Sequence, residues 1–157
     1  TRWGELVNGD HIVSTHDNML GMGGSKDVMV LMDAFSGLKV AYLVPDKSAD
    51  STLMAIKPFK GNREISRYYT DRSGEIERAL RLHHIPSDTS QPGVPQNNAV
   101  AERLVQYVLE GTRTSLLRAG LPPCFWDFAR QHYCLMETPY HDESRIHLTV
   151  GLSVLGN

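Results

Sequence analysis

The run Asp27-Val-Met-Val-Leu-Met-Asp33 constrains this chain more than any other segment. Its five consecutive apolar residues are far too few to cross a bilayer. They are uninterrupted rather than alternating, which is the pattern of a buried strand. Its neighbours can be read on either side. Gly9 to Thr15 is β-branched at its centre, and Gly21 to Lys26 supplies a turn into the run. Phe35-Ser-Gly37 reads as a tight turn, and Leu38 to Val44 resumes strand character until Pro45 stops it. Three strands in an antiparallel meander are expected. Asp17 and Asp33 read as solvated surface charges, with support of the Phe35 turn as the alternative for Asp33.

The second half alternates. Ser48 or Asp50 can cap a helix running to about Phe59, with Ala49, Leu53 and Ile56 on one face and Gly61 ending it. Glu64 to Thr70 returns to strand character, and Asp71 falls just past it. Glu75 to His83 predicts a short helix, and Ile85 to Ser90 a brief fifth strand. A long helix follows, capped by Asn97 or Asn98 and closed by Gly120 ahead of Pro122-Pro123. A last helix, Pro123 to about Glu137, carries Phe125, Trp126, Phe128, Ala129, Tyr133 and Leu135, a cluster suited to core or interface rather than to stacking on bases. The order predicts a mixed α/β fold, a five-stranded mixed sheet flanked by helices on both faces.

At 157 residues the chain matches a single domain, and 41% hydrophobic with 22% charged residues is ordinary for a soluble globular protein. A soluble intracellular protein is the default expectation. Cys124 and Cys134 lie on one predicted helix, roughly 15 Å apart by helical rise, too far for a disulfide. Neither they nor His83-His84 and His132 show the paired spacing of a zinc module. The net charge of −2 is awkward for binding a phosphate backbone. It hides an asymmetry, however, because Lys57, Lys60, Arg63, Arg67, Arg72, Arg78 and Arg81 cluster around Asp71. That segment reads either as a solvated helix face or as a phosphate-steering patch.

Three acids stand out against this frame. Asp10 and Asp71 fall in or at the end of strand-like segments, and Glu102 lies on the long helix. At 100° per residue, Val100, Ala101, Leu104, Val105, Val108 and Thr112 fill one broad arc of that helix, while Glu102 falls on the polar stripe at its border. Two-metal phosphoryl transfer needs hard oxygen ligands, and a magnesium ion usually takes one or two carboxylates plus water and substrate oxygens. Three acids from strand ends and a flanking helix suffice if they converge.

The surrounding residues carry a resemblance. Gly9-Asp10, Met32-Asp-Ala-Phe-Ser-Gly37, Thr70-Asp-Arg-Ser-Gly-Glu75, Ser90-Gln-Pro-Gly-Val-Pro-Gln-Asn-Asn-Ala-Val-Ala-Glu-Arg103 and Arg118-Ala-Gly-Leu-Pro122 followed by Trp126 together resemble the catalytic core of a retroviral or retrotransposon integrase, closest in style to copia-type elements. The likeness runs from about Gly4 to Glu137. It implies an RNase-H-like fold over 1–137, with Asp10, Asp71 and Glu102 as catalytic ligands of Mg²⁺ or Mn²⁺. It further implies 3′-end processing and strand transfer of mobile-element DNA, with Gln96, Asn98, Arg103 and Arg72 near the DNA. A homodimer, for which the Trp126 helix offers a surface, and a nuclear location on chromosomal DNA are implied with it.

The chain departs from the family pattern in places. The interval from Asp71 to Glu102 is about five residues shorter than usual, more than one helical turn. Arg72 stands where asparagine is expected, and Ala99 where glycine is expected. From Thr138 the likeness lapses, and 138–157 reads as a divergent or truncated tail. Two alternatives follow: a catalytically decayed transposon-derived fragment acting as a nucleic-acid-binding or protein-interaction module, and a nuclease of the same fold that hydrolyses without joining.

Overall fold

The computed structural model describes residues 2–13, 20–70, 73–89 and 99–138. Five strands form one mixed sheet: β1 (Val7–Val13), β2 (Asp27–Asp33), β3 (Lys39–Val44), β4 (Tyr68–Thr70) and β5 (Ser87–Thr89). Their spatial order is β3-β2-β1-β4-β5. β2 is antiparallel to both β1 and β3, whereas β4 runs parallel to β1 and β5 parallel to β4. Four helices cover it: α1 (Ala49–Lys60), α2 (Gly74–Leu82), α3 (Ala99–Ala119) and α4 (Trp126–Met136), the last entered through a 3₁₀ turn at Pro123–Phe125.

β2 sorts its apolar residues onto two faces, as a centrally placed strand must. Met29 and Leu31 pack with Val7, Ala55, Ile56, Phe59, Ile76 and Leu80 beneath α1 and α2. Val28 and Val30 pack with Ile12, Ala41, Leu104, Val108 and Trp126 beneath α3 and α4. All four of these β2 side chains are 0% exposed. The sheet is therefore the middle layer of three, and period-2 alternation decides which helix pair each strand residue meets.

The helix signals are realised locally. The Ser48 hydroxyl accepts the Ser51 N–H at 3.1 Å and caps α1, and Gly61 ends the helix at φ 56°. α3 closes on Gly120 at φ 63°, with Leu121 N–H donating to the Leu116 carbonyl at 3.1 Å, the six-to-one bond of a Schellman ending. Ala101, Leu104, Val108 and Thr112 are buried on α3 while Glu102 and Arg103 are exposed, as the helical angles require. The caps expected at Asn97 or Asn98 lie outside the described residues.

Three expectations are corrected. β4 is shorter than Glu64 to Thr70, because residues 64–67 bind the N-terminal segment instead, Ser66 N–H donating to Gly4 O at 2.7 Å and Val7 N–H to Arg67 O at 2.9 Å. β5 spans Ser87–Thr89, with Ile85 spent on the core before it. Asp33 is no surface charge but fully buried. Its Oδ1 accepts Gly4 N–H at 2.8 Å, and its Oδ2 accepts the N–H and the hydroxyl of Ser36, both at 2.7 Å. It thus supports the Phe35 turn. Trp126, in the aromatic cluster read as core or interface, is 7% exposed and packs in the core, with the Arg130 guanidinium 4.7 Å over its ring.

A long-range tie fixes the β1–β2 hairpin. The buried Asp127 carboxylate accepts Gly23 N–H at 2.7 Å and fills the space where a Gly21 Cβ would stand, while Met22 N–H donates to Cys124 O at 2.8 Å.

Candidate active site

Asp10 sits near the middle of β1, opposite Val30 of β2. Alternation puts it on the face of Asn8 and Ile12, and Ile12 belongs to the core under α3 and α4. Val7 and His11 point to the other face. The glycine before Asp10 is required by packing: a Cβ on Gly9 would collide with the Tyr68 hydroxyl and stand 2.6 Å from Leu31 Cδ2 and 2.7 Å from Val30 O. Tyr68 of β4 thereby closes directly over the strand that carries Asp10.

The hydrogen-bond parity of the sheet aims the Asp10 carboxylate. Asp33 N–H donates to Leu38 O, so Asp33, Leu31 and Met29 turn their main-chain groups to β3, and Met32, Val30 and Val28 turn theirs to β1. Their partners Asn8, Asp10 and Ile12 consequently face β2, leaving Val7, Gly9 and His11 to face β4. The bond from Val7 N–H to Arg67 O, on the β4 side, agrees. The described residues of β4 run to Thr70. The His11 N–H, on the β4 side of β1, donates to Asp10 Oδ1 at 2.7 Å. The carboxylate therefore leans toward the β4 end of the site. Asp71 is the residue that follows Thr70 in the chain; it and Arg72 lie outside the described residues.

Glu102 is exposed in the first turn of α3, and Arg103 is exposed beside it. α3 packs through Leu104 and Val108 on the face that Asp10 shares. The structure thus assigns Asp10 and the start of α3 to the same side of the sheet. Gln96 and Asn98 lie outside the described residues. Among the described residues no three His, Cys, Asp or Glu side chains gather as a metal-holding group. The middle member of the expected trio, Asp71, is not among them.

His11, which the sequence did not single out, follows Asp10 on β1 and faces the other side of the sheet. It is 7% exposed, and its Nε2 lies 2.9 Å from Thr52 Oγ1 on α1. Burial holds its imidazole down at about 4, with Lys47 adding to the effect and Glu75 and Asp46 opposing it. A histidine next to a strand acid carries no signal of this kind until the partner helix is known. Glu75, at the start of α2, is held below the usual carboxylate range by its own backbone N–H and by the Ser73 hydroxyl at 2.9 Å.

Lys57, Arg63, Arg67, Arg78 and Arg81 are exposed on α1, α2 and the loop between α1 and β4. The two helices cover the face away from the Asp10 side chain. Arg67 pairs with Asp88 at 3.2 Å, and Arg63 stacks 3.8 Å over Trp3. An open groove lined by Glu5, Leu6, Ala34, Phe35, Ser66 and Arg67 lies where β1 and β4 begin, and neither Asp10 nor Glu102 lines it. Among the described residues no helix is long and apolar enough to cross a membrane.

No protein-family model matches the sequence. It is 30% identical over 126 residues to the retrovirus-related Pol polyprotein from transposon TNT 1-94 of Nicotiana tabacum, a match covering 73% of this chain and 9% of that protein. It is 27% identical over 124 residues to the corresponding polyprotein from transposon RE1 of Arabidopsis thaliana, covering 74% of this chain and 8% of that protein. The chain thus spans under a tenth of the length of these relatives. The crystal structure of the catalytic core domain of BIV integrase matches the fold with a TM-score of 0.59 at 15% identity, over 97% of this chain and 99% of that one. The homologues of this chain are retrovirus-related Pol polyproteins of copia-like transposons, and its fold is the RNase-H-like fold of a retroviral integrase catalytic core.

Proposed function

We propose that this chain is an integrase catalytic core that processes the 3′ ends of mobile-element DNA and joins them to a target, using Asp10, Asp71 and Glu102 as ligands of Mg²⁺ or Mn²⁺. The observation that supports it most is the aim of Asp10. Its carboxylate, on the face where α3 begins with Glu102, leans toward β4, which Asp71 follows in the chain. The donor set fits a hard divalent cation: all three are carboxylates, and no ion pair within the described residues engages Glu102. Bound divalent ions would supply activation of the attacking oxygen and stabilisation of the leaving oxygen. The protein's part is to hold the acids in place and keep their oxygens turned to a shared point. Arg72, Gln96, Asn98 and Arg103 are the residues we assign to DNA. Dimerisation, and action in the nucleus, belong to the same proposal.

The test is strand transfer on a short DNA duplex in Mg²⁺ or Mn²⁺, comparing the wild type with Asp71→Asn. Joined product from the wild type, reduced on the order of a hundredfold or more in the variant, supports the reading. Equal background from both proteins overturns it. Retained DNA binding without turnover would then identify a decayed core that serves as a binding module, and cleavage without joining would identify a nuclease.

A further inference from the structure

We propose that Arg130 forms an oxyanion site on α4, taking a phosphate group on the Nη end of its guanidinium. Arg130 lies one helical turn after Trp126 and one before Cys134, on the core side of α4, and is 7% exposed. Its surroundings satisfy only part of what a guanidinium needs. Trp126 meets one face of the group at 4.7 Å, but a stacked ring leaves the N–H donors, which lie in the guanidinium plane, unbound. Nε is sealed from solvent without a hydrogen-bond partner among the described residues. Neither Nη makes a hydrogen bond or an ion pair within those residues, and the Nη pair is the end left open to an acceptor.

The charges nearby leave the same balance. Burial pushes Arg130 down to about 10, with Arg113 of α3 adding and Cys134 and Asp127 opposing, so it stays a cation at neutral pH. Cys134 is no counter-ion, because burial holds it as a neutral thiol. Asp127 is an acid, yet its oxygens are committed to backbone donors: Oδ2 accepts Gly23 N–H at 2.7 Å, and Oδ1 accepts Phe128 N–H at 2.8 Å. Neither oxygen comes within ion-pair distance of the guanidinium. Arg130 thus carries a full charge into the α4 side of the core with no anion bonded to it among the described residues. A charge taken out of water in this way is strongly unfavourable, and a bound oxyanion offsets the penalty. Two parallel Nη–H donors match two oxygens of one phosphate, and Arg113 as a second cation favours a doubly charged group over a carboxylate. The phosphate can be free in solution or part of a DNA backbone.

Inorganic phosphate is the probe, added to the full chain against chloride at constant ionic strength. At about tenfold above its dissociation constant it should raise the wild-type unfolding midpoint by about 3–6 °C. Arg130→Met should be at least as stable as the wild type without phosphate and should lose this rise. Arg130→Lys, which keeps the charge but not the fork, should bind phosphate about tenfold more weakly in calorimetric titration. No rise in the wild type overturns the site, whether or not the variants fold. An equal rise in the wild type and Arg130→Met also overturns it, since exclusion of phosphate from the protein surface then explains both. So does a phosphate-free Arg130→Met protein much less stable than the wild type, because the guanidinium would then be paired within the chain. A short DNA duplex separates the two sources. Duplex binding that weakens in Arg130→Met and is displaced by phosphate assigns the backbone to Arg130; unchanged duplex binding beside a lost phosphate response assigns the free anion, and either supports the site. None of these readouts depends on DNA joining.

Discussion

Replacing Asp33 by asparagine should destabilise the protein almost as much as replacing it by alanine. The carboxylate is 0% exposed and accepts three hydrogen bonds, one from Gly4 N–H at 2.8 Å and two from Ser36 at 2.7 Å. An asparagine has one acceptor oxygen and a donating NH₂. With its oxygen kept on the two Ser36 donors, the NH₂ opposes the Gly4 N–H, and two donors face each other in a buried site. The loss is one charge-assisted hydrogen bond, about 1.5–3 kcal/mol, plus about 1–3 kcal/mol for an unsatisfied buried N–H. We expect about 3–4 kcal/mol for Asp33→Asn, about 4–5 kcal/mol for Asp33→Ala and about 1 kcal/mol for Ser36→Ala. These are large fractions of the roughly 5–15 kcal/mol that hold a domain together. Equilibrium urea unfolding followed by tryptophan fluorescence measures them, with Trp3 reporting beside the Gly4 loop. A value for Asp33→Asn within about 0.5 kcal/mol of the wild type would refute the reasoning, because it would mean that the Gly4 bond contributes nothing.

Asp27 offers the opposite sign. Its Oδ1 is buried without a hydrogen-bond partner among the described residues, and burial, with Asp46 adding, pushes its carboxyl above the usual range. The folded state therefore resists the charged form, and the penalty is full at neutral pH and relieved as pH falls through the raised value. Asp27→Asn should stabilise the protein at pH 7 and lose that advantage in acid, as unfolding midpoints across pH will show. Gly111 lies so close to Tyr133 that a Cβ would enter its ring, so Gly111→Ala should part α3 from α4 and cost about 1–3 kcal/mol in thermal or urea unfolding. Cys134 is 1% exposed, and burial pushes its thiol up to about 12, while Cys124 is half-buried. Iodoacetamide on the native protein at pH 8–9 should modify Cys124 and spare Cys134 until denaturant is added, and mass spectrometry will locate the adduct.

The sequence was most legible where a signal was complete within a few residues. The apolar run of β2, the Ser48 cap, the Gly120 ending and the polar stripe bearing Glu102 each follow from period or turn chemistry alone. Pairing was less legible. Nothing in Glu64 to Thr70 distinguishes the residues that join β1 from those that bind the Gly4 loop, since both conformations are extended. Buried acids were read least well: Asp33 looks like a surface charge until the backbone donors that surround it are known, and nothing in the sequence singles out Asp127. For the site, the face of Asp10 follows from alternation, but the lean of its carboxylate depends on which side of β1 the His11 N–H faces, which only the strand pairing decides. His11 was invisible for a similar reason, since its partner Thr52 is 41 positions away.

The bond from Gly23 to Asp127 joins residues 104 positions apart. During synthesis from the N-terminus, the two strands of the first hairpin emerge early, but the carboxylate that seats its tip leaves the ribosome only when α4 does. Until then the Gly21–Gly24 turn lacks its anchor, and β1, with Asp10 on it, is secured from one end alone. The strand that carries the first acid of the proposed site is thus made well before the carboxylate that locks it, a vectorial delay that removing Asp127 would make permanent.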